Sequence, residues 1–226
     1  MKGYDFSATP FDPALADRVE SGHGFYVRYG KRIFDITLAI LSLPVLLPVI
    51  ALLWVLVRLD GGPGFFLHTR VGRNGKPFKC WKIRSMVVNA EHKLKAYLAR
   101  NPEAAAEWER DFKLTDDPRV TRIGRFIRKT SLDEIPQIFN VLTGEMSFVG
   151  PRPIVTEELQ RYGQHASSYM AMTPGVTGLW QVSGRNEISY GERIALDISY
   201  LEHCSLRTDL SIIWKTGAAV IFRTGK

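Results

Sequence analysis

The sequence predicts an α+β chain that is mainly α-helical. A compact domain with a small β-hairpin is preceded by a proline-broken re-entrant membrane helix and followed by amphipathic surface helices. Three observations predict it. Ile36–Val57 is a run of 22 residues without a charge, with Pro44 and Pro48 near its middle. Asn74-Gly75 separates two partly alternating runs, which is a strong hairpin signal. The remaining chain reads as helical stretches punctuated by Gly and Pro. The organisation that follows is a cytoplasmic arm over residues 1–30, the membrane helix over 31–60 and the folded domain over 61–226.

Ile36–Val57 would cover about 33 Å as a helix, enough for a bilayer core. It begins too late for a cleaved signal peptide and lacks a small-residue cleavage site. Each proline removes a backbone donor and crowds the preceding turn. A break at Pro48 leaves halves of 12 and 10 residues, roughly 18 and 15 Å long, and neither crosses a bilayer alone. Arg28, Lys31 and Arg32 precede the segment; Arg58, Arg70, Arg73 and Lys76 follow it. Basic flanks on both sides fit a helix–break–helix that enters and leaves by the cytoplasmic face. A kinked continuous span is the alternative, because lipid-embedded helices tolerate proline.

Residues 1–24 are polar and predict a mobile arm. Gly61-Gly62-Pro63-Gly64 is a turn that ends the membrane element. Residues 87–100 read as a helix, and Asn101-Pro102 restarts another, with Asn as N-cap and Pro at the first position. Residues 115–120 form an acidic, turn-rich loop. A short helix is expected from about Leu132 to Leu142, closed by Gly144. Residues 151–153 and 173–178 read as loops. Helices at about 188–203 and 207–223 close the chain. The last carries Ile212, Ile213, Trp214, Val220 and Phe222, and suits either core packing or a membrane surface.

The chain has 226 residues, 45% hydrophobic and 23% charged, ordinary values that exclude a disordered, collagenous or polytopic membrane protein. Its 30 Lys+Arg against 23 Asp+Glu give +7, which favours anionic partners: nucleic acid, anionic lipid or phosphorylated substrates. No nucleic-acid recognition module is evident. Cys80 and Cys204 make no disulfide framework, and the histidines show no zinc-ligand spacing.

Chemistry concentrates between residues 119 and 152. Arg119, Arg122, Arg125, Arg128, Lys129 and Arg152 surround one adjacent carboxylate pair, Asp133-Glu134. Guanidinium clusters suit phosphate oxygens. Their field favours an ionised carboxylate, as a nucleophile requires. Such a carboxylate can also take Mg²⁺ beside substrate phosphates. These needs converge on phosphoryl transfer, with an acyl-phosphate as one route. The structural alternative is a capping box, with Ser131 as N-cap and Glu134 reaching back. Pro136 fits that register poorly, and a helix starting at Asp133 would place it in the first turn. Gly150-Pro-Arg-Pro153 holds Arg152 between two residues of fixed φ. Around Trp180, glycines permit close backbone approach; Trp180 can cover a base or sugar, and Arg185 can bind phosphate.

These stretches resemble the bacterial sugar transferase family, the monotopic phosphoglycosyl transferases. The matching motifs are KRIFD (31–35), the proline-broken helix, FKCWKIRSM (78–86), RKTSLDEIPQIFNVLTGEMSFVGPRP (128–153) and TPGVTGLWQVSGRN (173–186). The resemblance runs from Lys31 to the C-terminus, about 90% of the chain. It implies transfer of a hexose-1-phosphate, galactose or glucose favoured, from a UDP-sugar to undecaprenyl phosphate, with release of UMP. It implies Asp133 as the nucleophile of a covalent phosphosugar intermediate, Glu134 as its dyad partner, and Mg²⁺ as cofactor held by Asp133 and Glu134. Lys82, Arg128, Arg152 and Arg185 are the expected substrate-binding residues. The same resemblance implies a stand-alone unit of the exopolysaccharide-initiating type on the bacterial inner membrane, facing the cytoplasm, in contact with membrane lipid and compatible with a homodimer. A UDP-N-acetyl-amino-sugar donor, or a non-enzymatic membrane-attached basic protein, are the alternatives. Many members break the membrane helix at Ser-Pro; here the pair is Leu47-Pro48, and Ser42 is the hydroxyl nearest to hand.

Overall fold

The computed structural model describes residues 25–111, 114–184 and 188–221. The arm expected over 1–24, together with Arg185 and Phe222, lies outside them. Among the described residues the fold is mostly helical with small sheets. The chain divides into two compact units. The first holds the described residues up to Val45, then Leu67–Trp81 and everything from Pro136; the second holds Leu46–Phe66 and Lys82–Ile135. The division falls inside the apolar helix and inside both strands of the hairpin.

A π-helical turn, Tyr26–Gly30, leads into α1, Lys31–Arg58. Helical backbone continues through Pro44 and Pro48, and neither proline ends the helix. Each removes only one N–H from a long apolar ladder, which a helix of this kind tolerates. Ser42 does not answer for the carbonyls the prolines release: its hydroxyl donates to Leu38 O at 2.7 Å, one turn back.

The KRIFD motif anchors the start of α1 within the first unit. Lys31 Nζ pairs with buried Asp209 Oδ2 at 2.6 Å and bonds Tyr200 OH at 2.9 Å. Arg32 donates to the carbonyls of Val141 at 2.5 Å and Leu142 at 2.9 Å. Asp35 Oδ1 accepts from Ser147 Oγ and Phe148 N, both at 3.0 Å. Three charged residues of one short motif thus serve three anchors, at positions on or beside successive turns of the helix.

The hairpin forms as its turn signal predicts, with β1 at Phe65–Val71 and β2 at Pro77–Ile83. Asn74 (φ 58°) and Gly75 (φ 72°) take the left-handed conformations that this dipeptide allows. In the second unit, α2 (Ala90–Leu98) and α3 (Pro102–Asp111) follow. The Asn101 side-chain amide donates to Tyr97 O at 2.8 Å, so it serves the end of α2. Next comes α4, Arg122–Lys129, in a stretch whose sequence shows only a basic cluster. Thr121 Oγ1 accepts from Gly124 N at 2.8 Å and caps it. Gly124 and Ile127, three apart, form its buried face.

The single helix expected over 132–142 is two elements. Leu132–Glu134 is a 3₁₀ turn, and α5 spans Gln137–Thr143, closed by left-handed Gly144 (φ 85°). In the first unit, β3 (Ser147–Val149) and β4 (Gly175–Thr177) are parallel, in register Ser147↔Gly175 and Val149↔Thr177. β4 occupies a stretch that reads as a loop, and β3 one to which the sequence assigns no element. They are too short for a period to show. A Cβ on Gly175 would meet Gly150 N at 2.1 Å, so these glycines bring backbone against backbone. Between them lie α6 (Thr156–Leu159), a 3₁₀ stretch (Gln160–His165) and α7 (Ala166–Met170). Then follow α8 (Leu179–Ser183), α9 (Tyr190–Glu202) and α10 (Leu206–Ile221). Ser189 and Glu192 make a reciprocal capping box on α9. One apolar cluster joins Val71, Ile154, Leu159, Tyr162, Tyr169 and Ile194. A second joins Val149, Met172, Tyr200, Leu201 and Ile212.

Candidate active site

The carboxylate pair sits on the 3₁₀ turn between α4 and α5. Ser131, immediately before it, is left-handed at φ 56° and makes no side-chain cap. Neither capping register anticipated from the sequence forms. α5 begins only after Pro136, and Glu134 pairs across the unit with Lys82. A residue other than Gly at positive φ is strained, and the turn it creates sets Asp133 inward. Asp133 is 8% exposed, the one buried member of the pair.

Lys82 comes from the end of β2, 52 residues away in sequence. Its Nζ lies 2.6 Å from Glu134 Oε1 and 3.9 Å from Asp133 Oδ2. One ammonium therefore serves two carboxylates. Burial raises the Asp133 pKa, and Glu134 adds to the rise; Lys82 and Arg128 oppose it. The basic surroundings do not hold this carboxyl below its ordinary range, because desolvation outweighs them. Arg128 stands at the exposed end of α4. Arg119 is committed elsewhere: it forks onto Asp117 (Nε–Oδ1 2.8 Å, Nη2–Oδ2 2.6 Å) and covers the Trp108 ring at 4.9 Å. Burial raises the Asp117 pKa, but these Arg119 bonds prevail and hold it below the ordinary value.

Sequence reasoning missed Arg84, two residues after Lys82. This buried guanidinium donates to Val57 O at 3.0 Å, Pro63 O at 2.6 Å and Met86 O at 2.9 Å, and it pairs with Asp60. It ties the end of α1 to the strand that carries Lys82. The period-two spacing of Lys82 and Arg84 was the available signal.

In the first unit, Arg152 lies on the loop after β3, between Pro151 and Pro153. Arg185 lies outside the described residues. Trp180 does not present an open face as a base or sugar cover: it is buried, and the Arg193 guanidinium stacks over its ring at 4.7 Å. Asn140, fully buried, fixes α5 to β2 by accepting from Trp81 N at 3.0 Å and donating to Lys79 O at 2.8 Å.

No cluster of three or more His, Cys, Asp or Glu side chains occurs among the described residues. Asp133 and Glu134 still supply the donor type that Mg²⁺ takes, since it binds through one or two carboxylates and completes its shell with water and substrate phosphate.

At this site the chain sets one buried carboxylate, Asp133, beside Glu134 and Lys82, with the Arg128 charge acting on it. The chain is 53% identical to an undecaprenyl-phosphate galactose phosphotransferase of Salmonella typhimurium over 88% of its own length and 42% of that protein's. It is 48% identical to the exopolysaccharide production protein ExoY of Sinorhizobium fredii, covering 86% of this chain and 87% of that one. With the UDP-glucose:undecaprenyl-phosphate glucose-1-phosphate transferase of Escherichia coli it shares 40% identity over 82% of its length and 39% of the relative's. The chain thus spans about two-fifths of several relatives that it matches. Among the described residues one helix is long and apolar enough to cross a membrane, which is consistent with a membrane-associated protein. The family model for bacterial sugar transferases matches residues 26–223, and the chain belongs to that family.

Proposed function

We propose that this chain transfers a hexose-1-phosphate from a UDP-sugar to undecaprenyl phosphate, as the first membrane step of exopolysaccharide assembly. The observation that carries the reading is the buried Asp133, bracketed by Lys82 and Glu134. The names of the relatives, which carry galactose and glucose, support those two donors.

In the first half-reaction an Asp133 carboxylate oxygen attacks the sugar-bearing phosphorus. The bond to the bridging oxygen breaks, and that oxygen leaves on UMP. An aspartyl phosphosugar, joined through an acyl-phosphate bond, remains. In the second, an oxygen of undecaprenyl phosphate attacks the same phosphorus, forming the diphosphate and restoring the carboxylate. Asp133 must be ionised to begin, and burial works against this. Lys82 favours the ionised form and holds Glu134 beside it. Desolvation also leaves the carboxylate oxygen poorly hydrated, and so reactive once charged. Arg128, Arg152 and Arg185 are proposed to hold phosphate oxygens. Mg²⁺, when bound through Asp133 and Glu134, supplies charge neutralisation on the phosphates.

Residues 31–60 are proposed as a re-entrant membrane element and 61–226 as a cytoplasmic domain. Basic residues flank the apolar run on both sides, Arg28, Lys31 and Arg32 before it and Arg58, Arg70, Arg73 and Lys76 after it, which favours entry and exit by the cytoplasmic face. Among the described residues, Tyr26–Arg58 is the only helix long and apolar enough to cross. α10 adds a surface contact. Leu206, Leu210 and Trp214 recur every four residues and are exposed, with Trp214 at 79%.

The test is UMP release over a panel of UDP-sugars, amino sugars included, with undecaprenyl phosphate and Mg²⁺. Asp133→Asn is expected to abolish both UMP release and labelling of the protein by radioactive sugar phosphate. Wild-type turnover in that variant removes Asp133 from the role. Cysteines introduced before Lys31 and after Gly75 are expected to react only from the cytoplasmic side.

A further inference from the structure

A second group of basic residues lies in the first unit, built on contacts that the carboxylate pair does not use. Arg70, at the end of β1, has a side chain only 16% exposed. Among the described residues its guanidinium makes one hydrogen bond, from Nη2 to His68 Nδ1 at 3.0 Å, and one ion pair, from Nη1 to Glu158 Oε2 at 3.6 Å. The second is beyond hydrogen-bond range. That carboxylate oxygen already accepts from Val155 N at 3.1 Å. Most of the five donors of Arg70 therefore have no protein acceptor among the described residues.

The loop that carries Arg152 is latched to this strand end. Val71 N donates to Ile154 O at 2.9 Å. The hydroxyl of Tyr169, 1% exposed, accepts from Ile154 N at 3.2 Å. It also lies 2.9 Å from Val71 O and 3.4 Å from Arg152 O, sharing its proton between them. Pro151 and Pro153 limit the loop further. Tyr169 thus fixes the backbone of Val71, next to Arg70, and that of residues 152–154 together. Burial and the Arg152 charge both depress the Arg70 pKa, and Glu158 opposes them. Two like charges held close together in a partly desolvated place repel each other, and an anion between them relieves the repulsion.

We propose that Arg70 and Arg152, aligned by Tyr169, form one binding subsite for the phosphate oxygens of a substrate. Arg70 is a binding residue and Tyr169 a positioning residue. The ligand chemistry is a phosphate ester, and two sources present it: the diphosphate of the nucleotide sugar and the phosphate of the polyprenyl acceptor. The proposal rests on the transferase reading above.

The experiment uses the full chain in detergent micelles or nanodiscs. KM is measured separately for UDP-sugar and for undecaprenyl phosphate, and UDP binding is measured by calorimetry. Arg70→Gln is expected to raise one of the two KM values roughly ten- to hundredfold, as loss of a charge-assisted pair does. A rise for UDP-sugar with weaker UDP binding assigns the nucleotide diphosphate; a rise for the lipid alone assigns the acceptor. Arg70→Lys keeps the charge without the fork and is expected to fall between. Tyr169→Phe keeps the packed ring and loses the latch, and should raise the same KM severalfold while kcat changes little. If Arg70→Gln does not fold, the Lys and Phe variants decide. Wild-type KM values for both substrates in those variants, or a fall in kcat alone, overturn the subsite. A wild-type chain that releases no UMP from any donor sinks the transferase reading instead. UDP binding that depends on Arg70 would then still support the subsite, and UDP binding that ignores Arg70 would overturn it.

Discussion

Lys82 Nζ stands 2.6 Å from Glu134 Oε1, a contact that joins the end of a strand to a 3₁₀ turn 52 residues further on. It determines how the pair of carboxylates behaves. The ammonium is shared with Asp133 at 3.9 Å, so neither acid is left without a counter-charge.

Replacing Lys82 by Met removes that counter-charge from two poorly solvated carboxylates. A loss of about 2 kcal/mol in stability is expected, discounted for the partial exposure of Glu134. The Asp133 pKa should rise further, because its largest opposing influence is gone. The acidic limb of the pH–rate profile should then shift to higher pH. An unmoved limb in a folded Lys82→Met protein would show that Lys82 does not control the ionisation of Asp133.

Ser131→Gly should be neutral or stabilising by up to about 1 kcal/mol, since glycine takes positive φ without strain and no cap is lost. Ser131→Val should cost about 1–2 kcal/mol. Thermal unfolding of the two variants measures the difference, and equal midpoints would contradict the left-handed turn.

Asp197 is buried on α9, and its Oδ2 accepts from Tyr162 OH at 2.8 Å. Burial pushes its pKa up to about 7, against the lowering effect of the Tyr162 bond. The unfolded chain ionises this group near pH 4. The folded state resists ionisation, so stability is greatest below pH 4 and is lost as pH rises towards 7. The loss is about 4 kcal/mol at most. Asp197→Asn should therefore be more stable than the wild type at pH 8 and similar at pH 4. Parallel unfolding midpoints across that range would refute the assignment.

Trp214→Ala should leave thermal stability unchanged, because the side chain packs mostly against solvent. Partition onto anionic vesicles should fall roughly tenfold through the loss of apolar area. The comparison is best made by co-sedimentation with Ile212→Ala, a change to a buried residue whose primary effect should be on folding.

Several features were legible because short-range chemistry decides them. Asn74-Gly75 turns the hairpin, Pro102 opens α3, and Gly144 closes α5. The apolar run of α1 needs no partner to be recognised. β3, β4 and α8 were not legible, since three to five residues carry no readable period. The helix α4 escaped notice because its buried face consists of Gly124 and Ile127 alone.

The sequence by itself determined the composition of the candidate site: one adjacent carboxylate pair in a basic stretch, an arginine between prolines, and an apolar helix with basic flanks. Those are local facts of order and spacing. Tertiary structure alone decided that Asp133 is buried while Glu134 faces Lys82, that Arg84 grips the end of α1, and that Tyr169 brings Arg152 to Arg70. Desolvation and hydrogen bonding depend on which distant segments exclude water from a group, and no window of adjacent residues contains that information.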